Sequence, residues 1–146
     1  MEEQQRALAE HACTRLVHQY ANCIDAYDYD GFLNLWADDG EWVIFGKSML
    51  GSDAIRAALE ARPPRSIVRH LVSNTVIDIV DATRATGASY ALAYRAEERL
   101  GMYPSPLALP RFLLDLRDEF SRHPTRGWLF QRRQIISILE RDPLHG

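Results

Sequence analysis

The chain of 146 residues has little cysteine, and the placement of its two cysteines excludes several classes of protein. Cys13 and Cys23 fall ten positions apart on one predicted helix, which separates them by about 15 Å at a rise of ~1.5 Å per residue. That separation is too large for a disulfide. Neither cysteine has a histidine or a second cysteine at metal-ligand spacing, so we predict no metal site and a reducing compartment.

Long apolar runs and an excess of positive charge are also absent. No apolar run approaches the roughly 20 residues needed to span a bilayer, and residues 1–5 are too acidic for a secretory signal. A net charge of -3 with scattered arginines disfavours nucleic-acid binding. We therefore expect a cytoplasmic protein with neither a membrane nor a nucleic-acid partner. The composition, 47% hydrophobic and 25% charged, predicts one globular domain over residues 1–146.

The first half of the sequence has a helical pattern. Residues 3–27 carry apolar side chains at four-residue spacing and predict a long helix, and Asp30 is a candidate cap for a short second helix. Aromatic and branched residues at 41–45 predict a strand. Ser52 is a candidate N-cap of a third helix, which the two prolines at 63–64 end.

The second half is rich in β-branched and aromatic residues. Residues 67–80, 85–100 and 128–140 predict strands, and 111–121, ambiguous between helix and strand, is interpreted as a strand because a turn sequence follows it. The three prolines in residues 102–110 indicate a loop or flap, a candidate lid. The fold class is then α+β with an antiparallel sheet. Apolar groups on both faces of the last strand predict a homo-oligomer, a dimer or a trimer.

Three polar residues lie in otherwise apolar stretches, where a polar side chain needs a partner or a function. Tyr20 is on the apolar stripe of the first helix, Asp25 is near its end, and His70 is in the first long strand. An acid, an orienting carboxylate and a base would suffice for proton transfer. Spacing alone does not bring them together, because five residues advance about 500° and leave Tyr20 and Asp25 roughly 140° apart.

Strand alternation predicts which other side chains share the face of His70. Asn74 follows it at even spacing, and Tyr90 and Tyr94 share a face of the next strand. Polar groups among apolar and aromatic ones are typical of a ligand pocket.

The sequence resembles a known superfamily in three places: Tyr20 with Asp25, residues 35–42 (Leu-Trp-Ala-Asp-Asp-Gly-Glu-Trp) and residues 69–74 (Arg-His-Leu-Val-Ser-Asn). These resemble the NTF2-like superfamily, SnoaL-like branch, over nearly the whole chain. The resemblance implies an NTF2-like cone, a curved antiparallel sheet wrapped by N-terminal helices around a deep pocket. Within that branch the chain is similar to scytalone dehydratase, bile-acid 7α-dehydratase and lindane dehydrochlorinase, which implies a lyase without a cofactor.

The resemblance also implies roles for individual residues. His70 would be the base, Asp25 the residue that orients it, and Tyr20 the acid. From their strand positions, Asn74, Tyr90 and Tyr94 are candidate substrate contacts, and Trp42 is a further candidate. The resemblance adds an arginine of the last strand, where Arg132 is favoured and Arg133 is the alternative. The strand after His70 lacks the second histidine of scytalone dehydratase, so a mechanism that needs two histidines is not expected.

Three functions remain open at this point. The first is a lyase, or a related isomerase or cyclase, acting on a hydrophobic oxygenated molecule such as a polyketide, steroid or terpenoid intermediate. The second is a small-molecule binding module without catalysis, in which the same residues orient a ligand. The third is a structural subunit like the β subunit of ring-hydroxylating dioxygenases.

Overall fold

The computed structural model describes residues 1–97 and 104–142. Three helices precede or interrupt the early strands, and four long strands follow, so the predicted α+β class is confirmed. The elements are α1 (Glu3–Asp25), α2 (Tyr29–Leu33), β1 (Trp36–Ile44), β2 (Lys47–Leu50), α3 (Ser52–Glu60), β3 (Ser66–Ile79), β4 (Arg84–Glu97), β5 (Phe112–His123) and β6 (Gly127–Glu140).

The six strands form one curved, unclosed sheet in the order β2-β1-β6-β5-β4-β3. Neighbouring strands are antiparallel except for β1 and β6, which run parallel. Parallel neighbours need a long connection, and here everything from β2 to β5 lies between the two in sequence. The edges remain open at β2 and β3, which leaves one side of β3 free for other partners.

Helix α1 packs across the sheet, contacting β3 and β6. Its buried residues recur every three or four positions, as expected of a helix that covers a core with one face. They are Ala9, Cys13, Leu16, Val17, Tyr20, Ala21 and Ile24. Opposite them lie apolar side chains of β5 and β6, namely Leu114, Leu116, Phe120, Phe130 and Ile135. The core therefore lies between α1 and this inner face of the sheet.

Two local predictions in the first half are wrong. The strand predicted at 41–45 begins earlier, at Trp36, and β2 forms a hairpin with β1 that the sequence did not predict. The turn uses Phe45 and Gly46, both with positive φ (49° and 83°), a conformation that a phenylalanine rarely adopts. The second helix is capped by Asp28 instead of Asp30, because the Asp28 carboxylate accepts a hydrogen bond from the Gly31 N–H at 3.0 Å.

The alternation along β3 is interrupted after Ser73. A register shift between Ser73 and Val76 forms a bulge, in which Asn74 has a φ of 55° and is exposed. A bulge inserts one residue and reverses the faces beyond it. The prediction that Asn74 shares a pocket wall with His70 is therefore wrong.

Residues 102 and 103 of the candidate lid lie outside the described residues. The described part, 104–109, covers the outer face of β3 and β4 and encloses about 560 Å³ together with Ile67, Leu71 and Tyr94. This face is opposite to the one that carries His70, so 104–109 is not positioned as a lid over the histidine. No helix in the described ranges is both long and apolar enough to cross a membrane.

Candidate active site

Asp25 and His70 are in direct contact, as predicted. Asp25 is the last residue of α1, and His70 lies on the edge strand β3, whose outward N–H groups have no neighbouring strand to bind. The His70 backbone N–H donates to Asp25 Oδ2 at 2.9 Å, and His70 Nδ1 lies 2.6 Å from Asp25 Oδ1. The two side chains are only 18% and 10% exposed, so the pair is shielded from solvent but not sealed off.

The two-point contact determines what the histidine ring can do. With one carboxylate oxygen held by the backbone, the other is fixed opposite Nδ1 and favours the tautomer in which Nδ1–H donates to Asp25. The unprotonated Nε2 is then available to accept a proton. This is the arrangement of a histidine general base oriented by a carboxylate.

A second set of contacts fixes the end of α1 relative to β3. Tyr27, with a φ of 58°, places its hydroxyl 2.8 Å from the carbonyl oxygen of Ser66 and 2.9 Å from that of Pro63. Arg62 donates from Nη1 to the Ile24 carbonyl oxygen at 2.9 Å, and its guanidinium lies 4.5 Å from the centre of the Tyr27 ring. Because Ser66 begins β3, these contacts connect the helix end that carries Asp25 to the strand that carries His70.

Small apolar residues adjoin the histidine on the inner face of the sheet. Ala93 of β4 pairs with His70, and Ala91 pairs with Val72, the next inward residue of β3. Both alanines are buried. The base therefore lies against an apolar wall of short side chains, a surface suited to a hydrophobic ligand.

Tyr20 is buried in an aromatic cluster instead of joining the Asp25–His70 pair. Its hydroxyl accepts a hydrogen bond from Trp42 Nε1 at 2.9 Å, and its ring centroid lies 4.9 Å from that of Phe32. Helix α1 continues without unwinding to Asp25. Tyr20 and Asp25 therefore keep the angular separation predicted for an ideal helix. Trp42, predicted as a substrate contact, is buried here as the partner of Tyr20.

The Tyr20 hydroxyl is expected to stay protonated far into the alkaline range. Burial raises the pKa of Tyr20 to about 12, although Arg133 and the Trp42 hydrogen bond act to lower it. Because the pKa is raised in the folded protein, the contribution of Tyr20 to the free energy of unfolding is complete below the ordinary pKa of about 10. It is lost as the pH rises through about 12. Absorbance titration of phenolate should show no difference between the native wild type and Tyr20→Phe up to about pH 11. A difference appearing near pH 10 would contradict this burial.

Arg133 and Asp118 form a fully buried ion pair that the sequence interpretation missed. Arg133 Nε and Nη2 each donate to one Asp118 oxygen at 2.7 Å, and both side chains are 0% exposed. The guanidinium lies 4.2 Å from the centre of the Tyr20 ring. Burial acts to lower the pKa of Arg133, but Asp118 and the Tyr20 hydroxyl outweigh it and the pKa is raised, so the guanidinium stays charged. Asp118 lies two residues from both Leu116 and Phe120 on the same strand, and this spacing was a signal that it shares their inward direction.

Arg132, the favoured pocket arginine, points the other way. It pairs with Glu119 of β5 and donates from Nε to Glu41 Oε1 at 2.9 Å, whereas Arg133 pairs with the buried Asp118. A register shift between Glu119 and Phe120 adds one residue to β6 there, so strict alternation from Phe130 does not hold and Arg133 instead of Arg132 lies on the inner face. The prediction that Arg132 faces inward is wrong, and Arg133 is the inward residue.

The two predicted tyrosines of β4 also lie on the outer face. Tyr90 pairs with Ser73 and Tyr94 with Arg69, while His70 pairs with Ala93, so neither tyrosine shares the face of the histidine. Tyr90 is 50% exposed. Their expected place beside His70 is therefore wrong. Across residues 1–97 and 104–142, no group of three or more His, Cys, Asp or Glu is arranged to hold a metal ion.

The sequence and the structure both match known proteins. The family model "SnoaL-like domain" matches residues 5–134. The structure superposes on a scytalone dehydratase-like protein from Novosphingobium aromaticivorans with a TM-score of 0.81 and 21% identity, over 97% of this chain and 91% of that one. No curated protein matches the sequence.

Two further structures have the same architecture. A hexachlorocyclohexane dehydrochlorinase, LinA-type3 from Novosphingobium barchaimii, superposes with a TM-score of 0.78 and 16% identity over 96% of this chain and 93% of that one. An NTF2-like protein with a cystatin-like fold from Novosphingobium aromaticivorans superposes with a TM-score of 0.75 and 19% identity over 97% of this chain and 90% of that one. At these identities the likeness establishes the fold, which is NTF2-like. The match to the family model shows that the chain belongs to the SnoaL-like domain family.

Proposed function

We propose that the protein is a lyase without a cofactor that removes water, or a comparable leaving group, from a hydrophobic oxygenated molecule such as a polyketide, steroid or terpenoid intermediate. The observation that carries the proposal is the Asp25–His70 pair, in which both carboxylate oxygens are engaged and Nε2 is left as the free basic atom. Structural neighbours that include dehydratase-like and dehydrochlorinase proteins support the same reaction class.

The proposed reaction is an elimination next to a carbonyl. His70 Nε2 takes a proton from the carbon beside the carbonyl, and the electrons of that C–H bond form the new C=C bond. The C–O bond at the next carbon breaks, and the departing hydroxyl leaves as water after it receives the proton from the imidazolium, which restores neutral His70. Asp25 stabilises the imidazolium that forms when His70 takes the proton.

A dehydration assay with a fluorescent product tests this proposal. Loss of water from 3-hydroxy-1-tetralone gives 1-naphthol, whose formation is followed by fluorescence. We expect the wild type to accelerate naphthol formation, and His11→Ala, a change at an exposed histidine of α1, to match it. Absence of acceleration with this ketone and with a panel of hydroxylated steroid and terpenoid ketones would leave the non-catalytic binding module as the better account.

We also propose that the protein is a homo-oligomer. Leu71, Leu92 and Leu113 pair directly across β3, β4 and β5 on the outer face, and Leu71 is 58% exposed. A continuous apolar row that stays partly exposed beside residues 104–109 is typical of a subunit contact. Light scattering should give two or three times the mass of the chain, and Leu71→Glu should reduce it. A wild-type mass equal to that of one chain would refute the proposal.

A further inference from the structure

A groove lies between α1 and the end of the hairpin that β5 and β6 form. Helix α1 makes one wall, from Gln5 to Gln19, and the hairpin contributes Arg122 and Trp128 to the other. We call it the α1 groove. Its volume of about 670 Å³ lies in the usual range for small-molecule sites. Neither member of the Asp25–His70 pair lines it, so the groove is separate from the candidate active site.

The α1 groove is long and largely apolar. Leu8, Ala12 and Leu16 line it at four-residue spacing along α1, and Leu8 is 63% exposed, which leaves apolar surface for a ligand to cover. A helix rises about 1.5 Å per residue, so the wall from Gln5 to Gln19 is about 21 Å long. An extended chain suits this shape better than a compact ring system.

The charged side chains that line the α1 groove are all arginines. They are Arg15, Arg122 and Arg126, and within the described part of the chain no aspartate or glutamate lines the groove. Arg126 is already engaged, because it donates to Asp38 Oδ1 at 3.2 Å and to two backbone carbonyl oxygens. The side chains of Arg15 and Arg122 have no hydrogen bond or ion pair with any described residue. In a chain of net charge -3, this local excess of cations favours an anionic ligand.

Backbone contacts hold the hairpin wall in place while the Arg122 guanidinium stays available. The Arg122 N–H donates to the Thr83 carbonyl oxygen at 2.9 Å, which fixes this end of β5 to the turn between β3 and β4. Arg122 also pairs with Trp128 across the hairpin. The contacts of Arg126 fix the turn between the two strands to the segment that begins β1. A ligand would therefore meet a groove that is already formed, which lowers the entropy lost on binding.

We propose that the α1 groove binds an amphipathic carboxylate with an extended apolar chain, of the class of free medium-chain fatty acids. The chain lies along Leu8, Ala12 and Leu16, and the carboxylate accepts hydrogen bonds from the unpaired arginines of the groove, Arg15 and Arg122. This binding site is additional to the proposed active site and does not depend on the lyase reaction.

Two probes with the same chain and opposite charge test the inference. Calorimetry gives a Kd for decanoate and for decyltrimethylammonium, each kept below its critical micelle concentration. We expect the wild type to bind decanoate at least about tenfold more tightly, because only the carboxylate can accept charged hydrogen bonds from the arginines. Added salt should weaken decanoate binding, because it screens the attraction between the carboxylate and exposed cations.

Substitutions at exposed positions of the groove separate the charged contribution from the apolar one. The double variant Arg15→Gln/Arg122→Gln should bind decanoate at least about tenfold more weakly, with little remaining dependence on salt. Leu8→Gln should weaken decanoate binding at least about fivefold, because it removes apolar surface that the chain would cover. All three side chains are exposed, so the fold should be retained, which circular dichroism checks.

Matched controls change the same residue types outside the α1 groove. Arg65→Gln alters an exposed arginine, and Leu50→Gln alters a leucine of β2 that is 65% exposed. Both should keep the wild-type affinity for decanoate. His70→Gln should keep it as well, because His70 does not line the groove.

Four results would overturn the inference. The first is no binding of decanoate by the wild type, and the second is equal binding of the cationic probe. The third is an unchanged affinity in the double arginine variant, and the fourth is loss of binding in His70→Gln, which would place decanoate in the candidate active site. Binding to vesicles of anionic lipid without binding of monomeric decanoate would indicate a membrane contact and would also refute it. None of these results bears on dehydration, which the naphthol assay tests separately.

Discussion

His70→Gln is expected to lower kcat for the dehydrated substrate by about 10²- to 10⁴-fold, the usual contribution of a general base. The glutamine amide can still donate to Asp25, and the backbone N–H of residue 70 keeps its 2.9 Å bond to Asp25 Oδ2. The substitution therefore removes the basic atom and preserves the connection between α1 and β3. Steady-state kinetics should show the loss in kcat with little change in KM.

Asp25→Asn distinguishes an orienting carboxylate from a merely structural one. Its amide would present N–H groups to the histidine and favour protonation of Nε2, the atom that the proposed mechanism needs free. We expect kcat to fall at least about tenfold in a protein that retains its circular dichroism spectrum. Unchanged kcat in either variant would exclude general-base catalysis by this pair.

The second large effect concerns stability and arises from the buried Arg133–Asp118 pair. Asp118→Leu alone leaves the guanidinium, 0% exposed, without a counter-ion, and we expect it to lower the free energy of unfolding by about 3–5 kcal/mol. The double variant Asp118→Leu/Arg133→Met fills the same volume with apolar groups. It should be as stable as the wild type or more stable, because it avoids burying two charges.

Urea denaturation of the wild type, the single and the double variant measures this effect. Asp115→Asn serves as the control, since its salt bridge with Arg117 is exposed and contributes at most about 1 kcal/mol. A double variant as unstable as the single one would show that the ion pair itself stabilises the fold.

The elements of the fold were largely predictable from local pattern. Helix α1 and the four long strands appear within a few residues of their predicted limits, since each has a long run with clear periodicity. The hairpin between β1 and β2 was missed because its turn places Phe45 at positive φ, which the sequence does not signal. The bulge at Asn74 was missed for the same reason, because it is an irregularity that the tertiary structure sets and the sequence does not signal.

The candidate site was predictable only in part. The contact of Asp25 with His70 depends on which strand lies at the sheet edge, and spacing does not carry that information; it followed from the family resemblance. The choice between Arg132 and Arg133 depends on one register shift in β5–β6 pairing, and a slip of one residue reverses every face. Asp118 could have been found, because the nearest residues at even spacing, Leu116 and Phe120, are apolar.

The tautomer of His70 tests the central claim most directly. Long-range ¹H–¹⁵N NMR correlation of the imidazole above about pH 8, where an ordinary histidine is neutral, identifies which ring nitrogen carries the proton. We predict the proton on Nδ1, donated to Asp25, with Nε2 unprotonated, and a change toward protonated Nε2 in Asp25→Asn. A wild-type ring protonated on Nε2 would contradict the account, because the histidine could then not act as the proposed base.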